Sequence, residues 1–132
     1  MPRGVVKMEL DWYKIEPYTE SKAKNAPDKD GVYALCTLQA DRTYKVRYVG
    51  QGNIRERLVD HLSAYENNLE LKSHVAKYKM KASYAVVGKQ SDRDGIELFL
   101  YKKFSPKFNK NTPPAQTAIE VNLFSLKYDE EK

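Results

Sequence analysis

The alternation of apolar and polar positions predicts a β-hairpin near the middle of the chain. Residues 31–38, GVYALCTL, are apolar on both faces, which is typical of a strand that is covered on both sides. Residues 42–50, RTYKVRYVG, alternate instead, so Tyr44, Val46 and Tyr48 should share one face and the intervening cations the other. The short polar connection between the two segments favours an antiparallel pair.

The register of this hairpin is predicted to bring two tyrosines together. A loop centred on Ala40 and Asp41 pairs Tyr33 with Tyr48. Side chains that lie directly opposite each other have Cβ atoms about 5 Å apart, so the two phenols should face each other. The pair is either a structural aromatic contact or part of a functional site.

An amphipathic helix is predicted after Gly52. Asn53 is a suitable N-cap, and Glu56, three residues later, completes a variant of the capping box. At about 100° per residue, Arg57 and His61 lie one above the other at the margin of the apolar stripe, neither buried nor fully exposed. They are either edge residues of the core or side chains that face a cleft. The stripe itself consists of Ile54, Leu58, Leu62 and Tyr65.

A third strand, MKASYAVVG at 80–88, is followed by a second helix that carries an acid in an apolar run. Ser91 and Asp92 are predicted to start this helix. Glu97 falls on its apolar side, where an uncompensated charge would cost several kcal/mol. Glu97 is therefore predicted to form a salt bridge with an arginine, to bind a metal ion or to act as a catalytic acid.

Length and composition limit the class of protein. A chain of 132 residues forms one domain, and its longest apolar runs are too short to span a bilayer. The N-terminal MPRGVVKMELDWYK lacks the apolar stretch of a secretory signal. The single cysteine, Cys36, excludes an internal disulfide and a cysteine-rich zinc site. These features predict a cytoplasmic protein without a membrane partner.

Basic residues are in moderate excess, with a net charge of +5. Two segments, KYKMK at 77–81 and YKKFSPKFNK at 101–110, mix cations with aromatic residues and so could hold phosphates and stack bases. Solvated faces with extended lysines are an equally good interpretation of either segment.

The ends of the chain flank a predicted core at 31–112. Residues 1–30 are predicted to be an N-terminal extension that ends in a polar linker at 18–30. Residues 113–132 form a C-terminal segment with an acidic tail. The alternating apolar residues at 119, 121 and 123 predict an edge strand, which could pair with the N-terminal segment or with another molecule.

Five features in a fixed order resemble the motifs of the GIY-YIG nuclease superfamily. They are GVY at 31–33, YVG at 48–50, Arg57 with His61 four residues later, Glu97, and PKFN ending at Asn109. The twelve-residue step from Glu97 to Asn109 resembles the nuclease half of bacterial excision-repair enzymes. The stretch between the tripeptides is longer than is usual in the family, and the segment from Gly50 to Arg57 is one residue shorter.

The resemblance covers residues 31 to about 110. It implies a small α/β (α+β) domain, in which a three-stranded antiparallel sheet is flanked by helices. It also implies cleavage of phosphodiester bonds in nucleic acid with one divalent metal ion.

The resemblance further implies a role for each matched residue. Glu97 would hold Mg²⁺ or Mn²⁺ through its carboxylate. Tyr33 would help to activate the attacking water, with His61 as the alternative general base. Tyr48 would orient water or phosphate, and Arg57 would stabilise charge on the phosphate oxygens. Asn109 would contact the substrate or fix the local loop. Phosphate contacts are predicted for Lys45, Arg47, Arg55, Lys102, Lys103 and Lys107.

The predicted function is a metal-dependent endonuclease that nicks DNA, acting as a monomer or weak homodimer. A nucleic-acid-binding module of the same fold that does not cleave is the first alternative. A protein-interaction subunit that uses the two ends of the chain is the second.

Overall fold

The computed structural model describes residues 6–63, 66–115 and 117–128. Tyr65 of the predicted apolar stripe and residues 129–132 of the predicted acidic tail lie outside these ranges. The strands are β1 (Lys7–Met8), β2 (Tyr13–Ile15), β3 (Asp30–Leu38), β4 (Tyr44–Asn53), β5 (Met80–Val86) and β6 (Glu120–Val121). The helices are α1 (Glu20–Ala23), α2 (Ile54–Asp60), α3 (Leu69–Lys77) and α4 (Gln90–Phe104).

The central sheet is antiparallel and has the strand order β2–β5–β3–β4. The predicted class, an antiparallel sheet flanked by helices, is confirmed, but the sheet has four strands rather than three. The additional strand, β2, pairs Ile15 with Ala82 at the edge of the sheet. Because β2 has only three residues, its sequence is too short to show an alternating pattern.

Helices cover both faces of the sheet, so β3 is buried on both sides as its sequence predicts. On one face Val32, Ala34 and Cys36 pack with residues of α4 and of the C-terminal segment. On the other face Tyr33 and Leu35 pack with residues of α1, α2 and α3. The sheet is therefore the middle layer of the molecule.

The hairpin register differs from the predicted one at two points. Leu38 lies opposite Tyr44, one residue beyond the partner that a loop centred on Ala40 and Asp41 would give, and β4 contains a bulge. Cys36 pairs with Val46 but Leu35 pairs with Tyr48, which leaves Arg47 as the extra residue. Tyr33 lies opposite Gly50, two residues beyond Tyr48: the connection accounts for one residue of this shift and the bulge for the other. The bulge also turns Tyr48 to the face that carries Tyr33, whereas the predicted alternation put it with Tyr44 and Val46.

The start of α2 is confirmed, since the side chain of Asn53 accepts a hydrogen bond from the Glu56 amide at 3.0 Å. Helix α4 starts one residue before the predicted Ser91, and its N-cap Lys89 makes no side-chain capping bond. The segment at 18–30, predicted to be a linker, contains the single turn α1, which is capped by Thr19.

The two ends of the described chain meet on one side of the molecule. In the C-terminal segment a two-residue strand, β6, pairs in parallel with β1 of the N-terminal segment and forms a separate two-stranded sheet with it. None of the helices in the described ranges combines the length and the apolar character that a bilayer crossing requires.

Candidate active site

An open cleft of about 700 Å³ lies beside the outer edge of β4. Its lining includes five predicted site residues: Tyr48 from β4, Arg57 and His61 from α2 and its C-cap, Glu97 from α4, and Asn109 from the segment after α4. The sixth, Tyr33, is fully buried and is joined to this lining through His61. The fold thus brings together residues from both faces of the sheet.

A chain of hydrogen bonds links Tyr33, His61 and Glu66. The Tyr33 hydroxyl lies 2.7 Å from Nε2 of His61, and Nδ1 of His61 contacts Oε2 of Glu66. Because an ionised carboxylate only accepts hydrogen bonds, Nδ1 carries the ring proton and Nε2 accepts from Tyr33. The second oxygen of Glu66 accepts from the Asn68 amide at 3.2 Å, which fixes the carboxylate.

The protonation states follow from burial and from these contacts. Burial lowers the pKa of His61, and the carboxylate of Glu66 acts in the opposite direction. Partial burial acts to raise the pKa of Glu66, but hydrogen bonds from His61 and from the Asn68 amide hold it below its usual value. Burial raises the pKa of Tyr33. At neutral pH the chain therefore consists of a phenol, a neutral imidazole and a carboxylate.

His61 is more deeply buried than its position on the helix predicts. It is 3% exposed, whereas the helical pattern placed it at the margin of the apolar stripe. The Tyr48 ring lies edge-on to it at 4.9 Å, and Glu66 covers its other side. Tyr48 also stacks on Tyr33 at 6.3 Å, so the two tyrosines meet diagonally across the hairpin.

Two glycines let the backbone of β4 pass close to these side chains. A Cβ atom on Gly50 would lie 2.4 Å from the Tyr33 hydroxyl, so a larger residue would displace the phenol. Gly52 has a φ of 132°, which residues with a side chain rarely adopt. The aliphatic part of the Arg57 side chain packs against Gly52.

Arg57 is half-buried and retains an unused donor. Its Nε is buried and makes no hydrogen bond among the described residues. The guanidinium interacts with the hydroxyl of Tyr33, where it opposes the effect of burial on that pKa. An unpaired buried donor is unfavourable by about 1–3 kcal/mol unless a ligand satisfies it, and an anionic oxygen is well suited to do so.

Glu97 faces the cleft and accepts a hydrogen bond from the side-chain amide of Gln51 at 3.2 Å. The same amide donates to Asp94 at 2.6 Å. No ion pair to Glu97 is present in the described ranges, so the predicted salt bridge with an arginine is not observed. Burial raises the pKa of Glu97, and Asp94 adds to this effect.

The oxygen ligands at this site suit a divalent cation that keeps several waters better than one that is surrounded by protein side chains. Within the described residues, no group of three or more His, Cys, Asp or Glu side chains is arranged to enclose a metal ion. Mg²⁺ commonly keeps several waters and binds through one or two carboxylates plus substrate phosphates. The carboxylate of Glu97, half-buried and free of ion pairs to the residues that the structure describes, fits this mode of binding.

Asn109 attaches the segment after α4 to the edge of the sheet. Its side-chain oxygen accepts from the Val49 amide and its nitrogen donates to the Val49 carbonyl, both at 2.8 Å. The neighbouring Phe108 amide donates to the carbonyl of Arg47 at 2.9 Å. Of the two roles predicted for Asn109, this geometry supports fixing the loop.

The six basic residues predicted to contact phosphate lie outside the lining of the cleft. The cationic side chains that line it, among the described residues, are Arg57 and Lys110. Arg55 donates to the Ala26 carbonyl at 2.8 Å. Arg47 and Lys107 lie near α3, where both lower the pKa of His74. The other three, Lys45, Lys102 and Lys103, are exposed.

The sequence interpretation missed two polar residues of this site, Glu66 and Gln51. Glu66 follows His61 by five residues, and no helical or strand spacing connects them. Gln51 stands between the two glycines of β4, where a polar residue is typical of a turn.

Comparison with known proteins identifies the fold. No family model and no curated protein sequence matches the chain. One similar crystal structure is the GIY-YIG N-terminal endonuclease domain of UvrC from Thermotoga maritima, a tyrosine-to-phenylalanine variant bound to its catalytic divalent cation. It is 22% identical, has a TM-score of 0.52, and the match covers 69% of this chain and 93% of that domain. A second such variant of the same domain is 20% identical with a TM-score of 0.49 and the same coverage. The chain described here therefore has the GIY-YIG fold.

Proposed function

We propose that this protein is a divalent-metal-dependent endonuclease that hydrolyses phosphodiester bonds in DNA, one strand at a time. One observation carries the proposal: within the described residues, a single cleft brings together a proton-accepting histidine, an arginine with an unsatisfied buried donor and a carboxylate that forms no ion pair. The similarity of the fold to an endonuclease domain supports it.

The Tyr33–His61–Glu66 chain is suited to removing a proton from water. Nε2 of His61 already accepts from the Tyr33 hydroxyl, so the phenolic proton can move to His61 as Tyr33 takes one from the attacking water. The carboxylate of Glu66 then stabilises the imidazolium through Nδ1. Tyr33 is fully buried in this conformation, so a covering side chain has to move when the substrate binds.

Two groups in the cleft would stabilise the negative charge of the phosphate. The Nε–H of Arg57 would donate to a non-bridging oxygen, where it stabilises charge that develops during attack. A Mg²⁺ or Mn²⁺ ion held by Glu97 would neutralise the scissile phosphate and the leaving oxygen. Tyr48 lines the cleft between these groups and can orient water or phosphate with its hydroxyl.

Incubation of the purified protein with plasmid, single-stranded and branched DNA, each with Mg²⁺, Mn²⁺ or EDTA, tests the proposal. We expect nicked circles with either metal ion and intact plasmid with EDTA. The Glu97→Gln variant, purified in the same way, controls for contaminating nucleases. Intact substrates under every metal condition, or equal cleavage by the variant, would exclude the proposal.

A further inference from the structure

Three aromatic rings lie in a row between the end of α3 and the segment after α4. The ring centroids of Phe108 and His74 are 5.0 Å apart, and those of His74 and Tyr78 are 4.3 Å apart. Tyr78, at the outer end of the row, is 50% exposed. The rings border a shallow depression of about 360 Å³, which is also lined by Glu70 and Lys77.

The inner part of this row is held in place by the sheet. His74 Nε2 forms a 2.6 Å hydrogen bond with the Thr37 hydroxyl of β3. Phe108 is attached to the outer edge of β4 through its backbone amide. The row is therefore preorganised, and its exposed ring needs no rearrangement to receive a flat ligand.

Cations surround the rings. The ammonium group of Lys107 lies over the Phe108 ring at 5.6 Å. Arg47 and His74 both form a hydrogen bond with the hydroxyl of Thr37. Burial lowers the pKa of His74, and Arg47, Lys107 and Lys77 add to this effect, which places all three charges near the ring. A row of rings among cations is complementary to bases joined by phosphates.

This patch is continuous with the candidate active site. Phe108 is followed directly by Asn109, which lines the cleft. Asn68 also lines the cleft, caps α3 and donates to the Phe108 carbonyl at 2.8 Å. The cleft and the depression beside the rings therefore adjoin, since residues that follow each other in the chain line the two.

We propose that this surface, hereafter the stacking patch, binds an unpaired stretch of the DNA substrate next to the cleft. It consists of Phe108, His74 and Tyr78 with Arg47, Lys77 and Lys107. A base exposes its ring face only when it leaves the duplex, so an exposed aromatic ring between cations favours a single strand over a double helix. This inference rests on the proposed function, because that function supplies DNA as the ligand.

Fluorescence anisotropy in EDTA, where metal-dependent cleavage does not occur, tests the stacking patch. The probes are labelled oligothymidine of about 12 nucleotides and, at equal length, oligouridine, an abasic DNA strand and a DNA duplex. We expect oligothymidine to bind more tightly than either of the other probes. Tyr78→Ala should weaken oligothymidine binding about tenfold and leave abasic-strand binding unchanged. Tyr78→Phe should bind like the parent protein.

Two matched variants control for general effects of surface substitution. Tyr13→Ala removes an exposed tyrosine from β2, the opposite edge of the sheet, and should change nothing. The double variant Lys77→Ala, Lys107→Ala should lower the salt dependence of binding by about 1.4 in log–log slope, since each phosphate contact on a single strand contributes about 0.7. Lys7→Ala should leave that slope unchanged.

The outcomes separate this inference from the proposed function. Equal oligothymidine binding by Tyr78→Ala and the parent protein, or tighter binding of the duplex, would overturn the stacking patch even if the plasmid is nicked. Tyr78-dependent binding without any plasmid cleavage would uphold the patch and exclude the nuclease. Tighter binding of oligouridine than of oligothymidine would overturn the assignment to DNA.

Discussion

Individual residues in the cleft owe their chemistry to neighbours that only the folded chain brings into contact with them. His61 is neutral because it is buried, and it is oriented because Glu66 accepts from its Nδ1. Tyr33 becomes a proton donor to this ring only because Gly50 leaves room for its hydroxyl. Each of these properties can be tested by one substitution.

Replacing Glu66 should change both the rate and its dependence on pH. Activity requires neutral His61, whose pKa lies below its ordinary value, so kcat/KM should rise with pH in the acid range and reach a plateau by neutral pH. Glu66→Ala should lower kcat about 100-fold because the ring loses its orientation. Glu66→Gln keeps an acceptor but removes the charge that raises the pKa of His61, so the acid limb should shift to lower pH.

Glu56→Gln, an exposed substitution on α2, provides the control and should alter neither the rate nor the pH profile. A Glu66→Gln profile that coincides with that of the parent protein would contradict the role of Glu66 in positioning His61.

Glu97→Gln should abolish metal-dependent nicking and leave the fold intact. Burial raises the pKa of Glu97 in the folded protein, so the fold favours the neutral form, and any stability from this group is lost as pH rises through that pKa. At neutral pH the isosteric amide should therefore leave thermal stability unchanged or raised. Plasmid nicking and thermal unfolding measure the two effects, with Asp92→Asn on the same helix as the control. Normal nicking by Glu97→Gln would exclude Glu97 as the metal ligand and with it the proposed function, and an unfolded variant would make Glu97 a structural residue.

Arg57→Ala should lower the cleavage rate about 10²- to 10³-fold and barely change binding of uncut DNA, because the residue acts on charge that develops during the reaction. Lys102→Ala and Lys103→Ala should weaken binding of DNA at low salt and barely change the cleavage rate of bound DNA. Single-turnover cleavage and binding in EDTA distinguish the two classes. If both classes reduced only binding, the alternative of a module that does not cleave would be favoured.

Among the elements, β4 has the largest influence on the site. Its bulge at Arg47 moves Tyr48 to the face of Tyr33, and its outer edge receives the segment that carries Asn109. Edge strands leave backbone groups unpaired, and the side chain of Asn109 satisfies two of them on Val49. The loop after α4 is thus fixed beside the cleft.

Asn109→Ala should destabilise the protein and loosen this loop. Loss of two hydrogen bonds is expected to lower the free energy of unfolding by about 1–2 kcal/mol. Urea denaturation measures the effect, and Asn111→Ala, an exposed residue that also lines the cleft, serves as the control. Equal stability of both variants would contradict a structural role for Asn109.

For the molecule as a whole, the described residues assemble one set of candidate catalytic groups in one cleft. A single set can align only one phosphodiester bond at a time, and a core of this size leaves no volume for a second set. Cleavage of both strands of a duplex would then require two visits or a dimer.

Supercoiled plasmid should therefore pass through a nicked circle before linear DNA appears. A gel time course, at protein concentrations where sedimentation shows monomer, tests this expectation. Linear product that rises without a nicked intermediate under those conditions would contradict the single-site proposal.

The sequence by itself determined the features that depend on near neighbours along the chain. Strand β3 follows from its apolar run, and α2 begins directly after its cap Asn53, whose side chain contacts Glu56 three residues later. Candidate site residues were identified through the order of their motifs, which resembles that of a known superfamily. These signals are local or linear, so they can be recognised before the chain is folded.

Only the tertiary structure decided which side chains meet and in what environment. The bulge at Arg47 interrupts the alternation of β4, and the amino-acid composition does not mark its position. Strand β2 is too short to show an alternating pattern. The burial of His61 depends on how α2 packs against Tyr48 and on the path that brings Glu66 to its ring. The contact of Asn109 with Val49 spans 60 residues. Such contacts are set by the packing of whole elements, and no local periodicity encodes them.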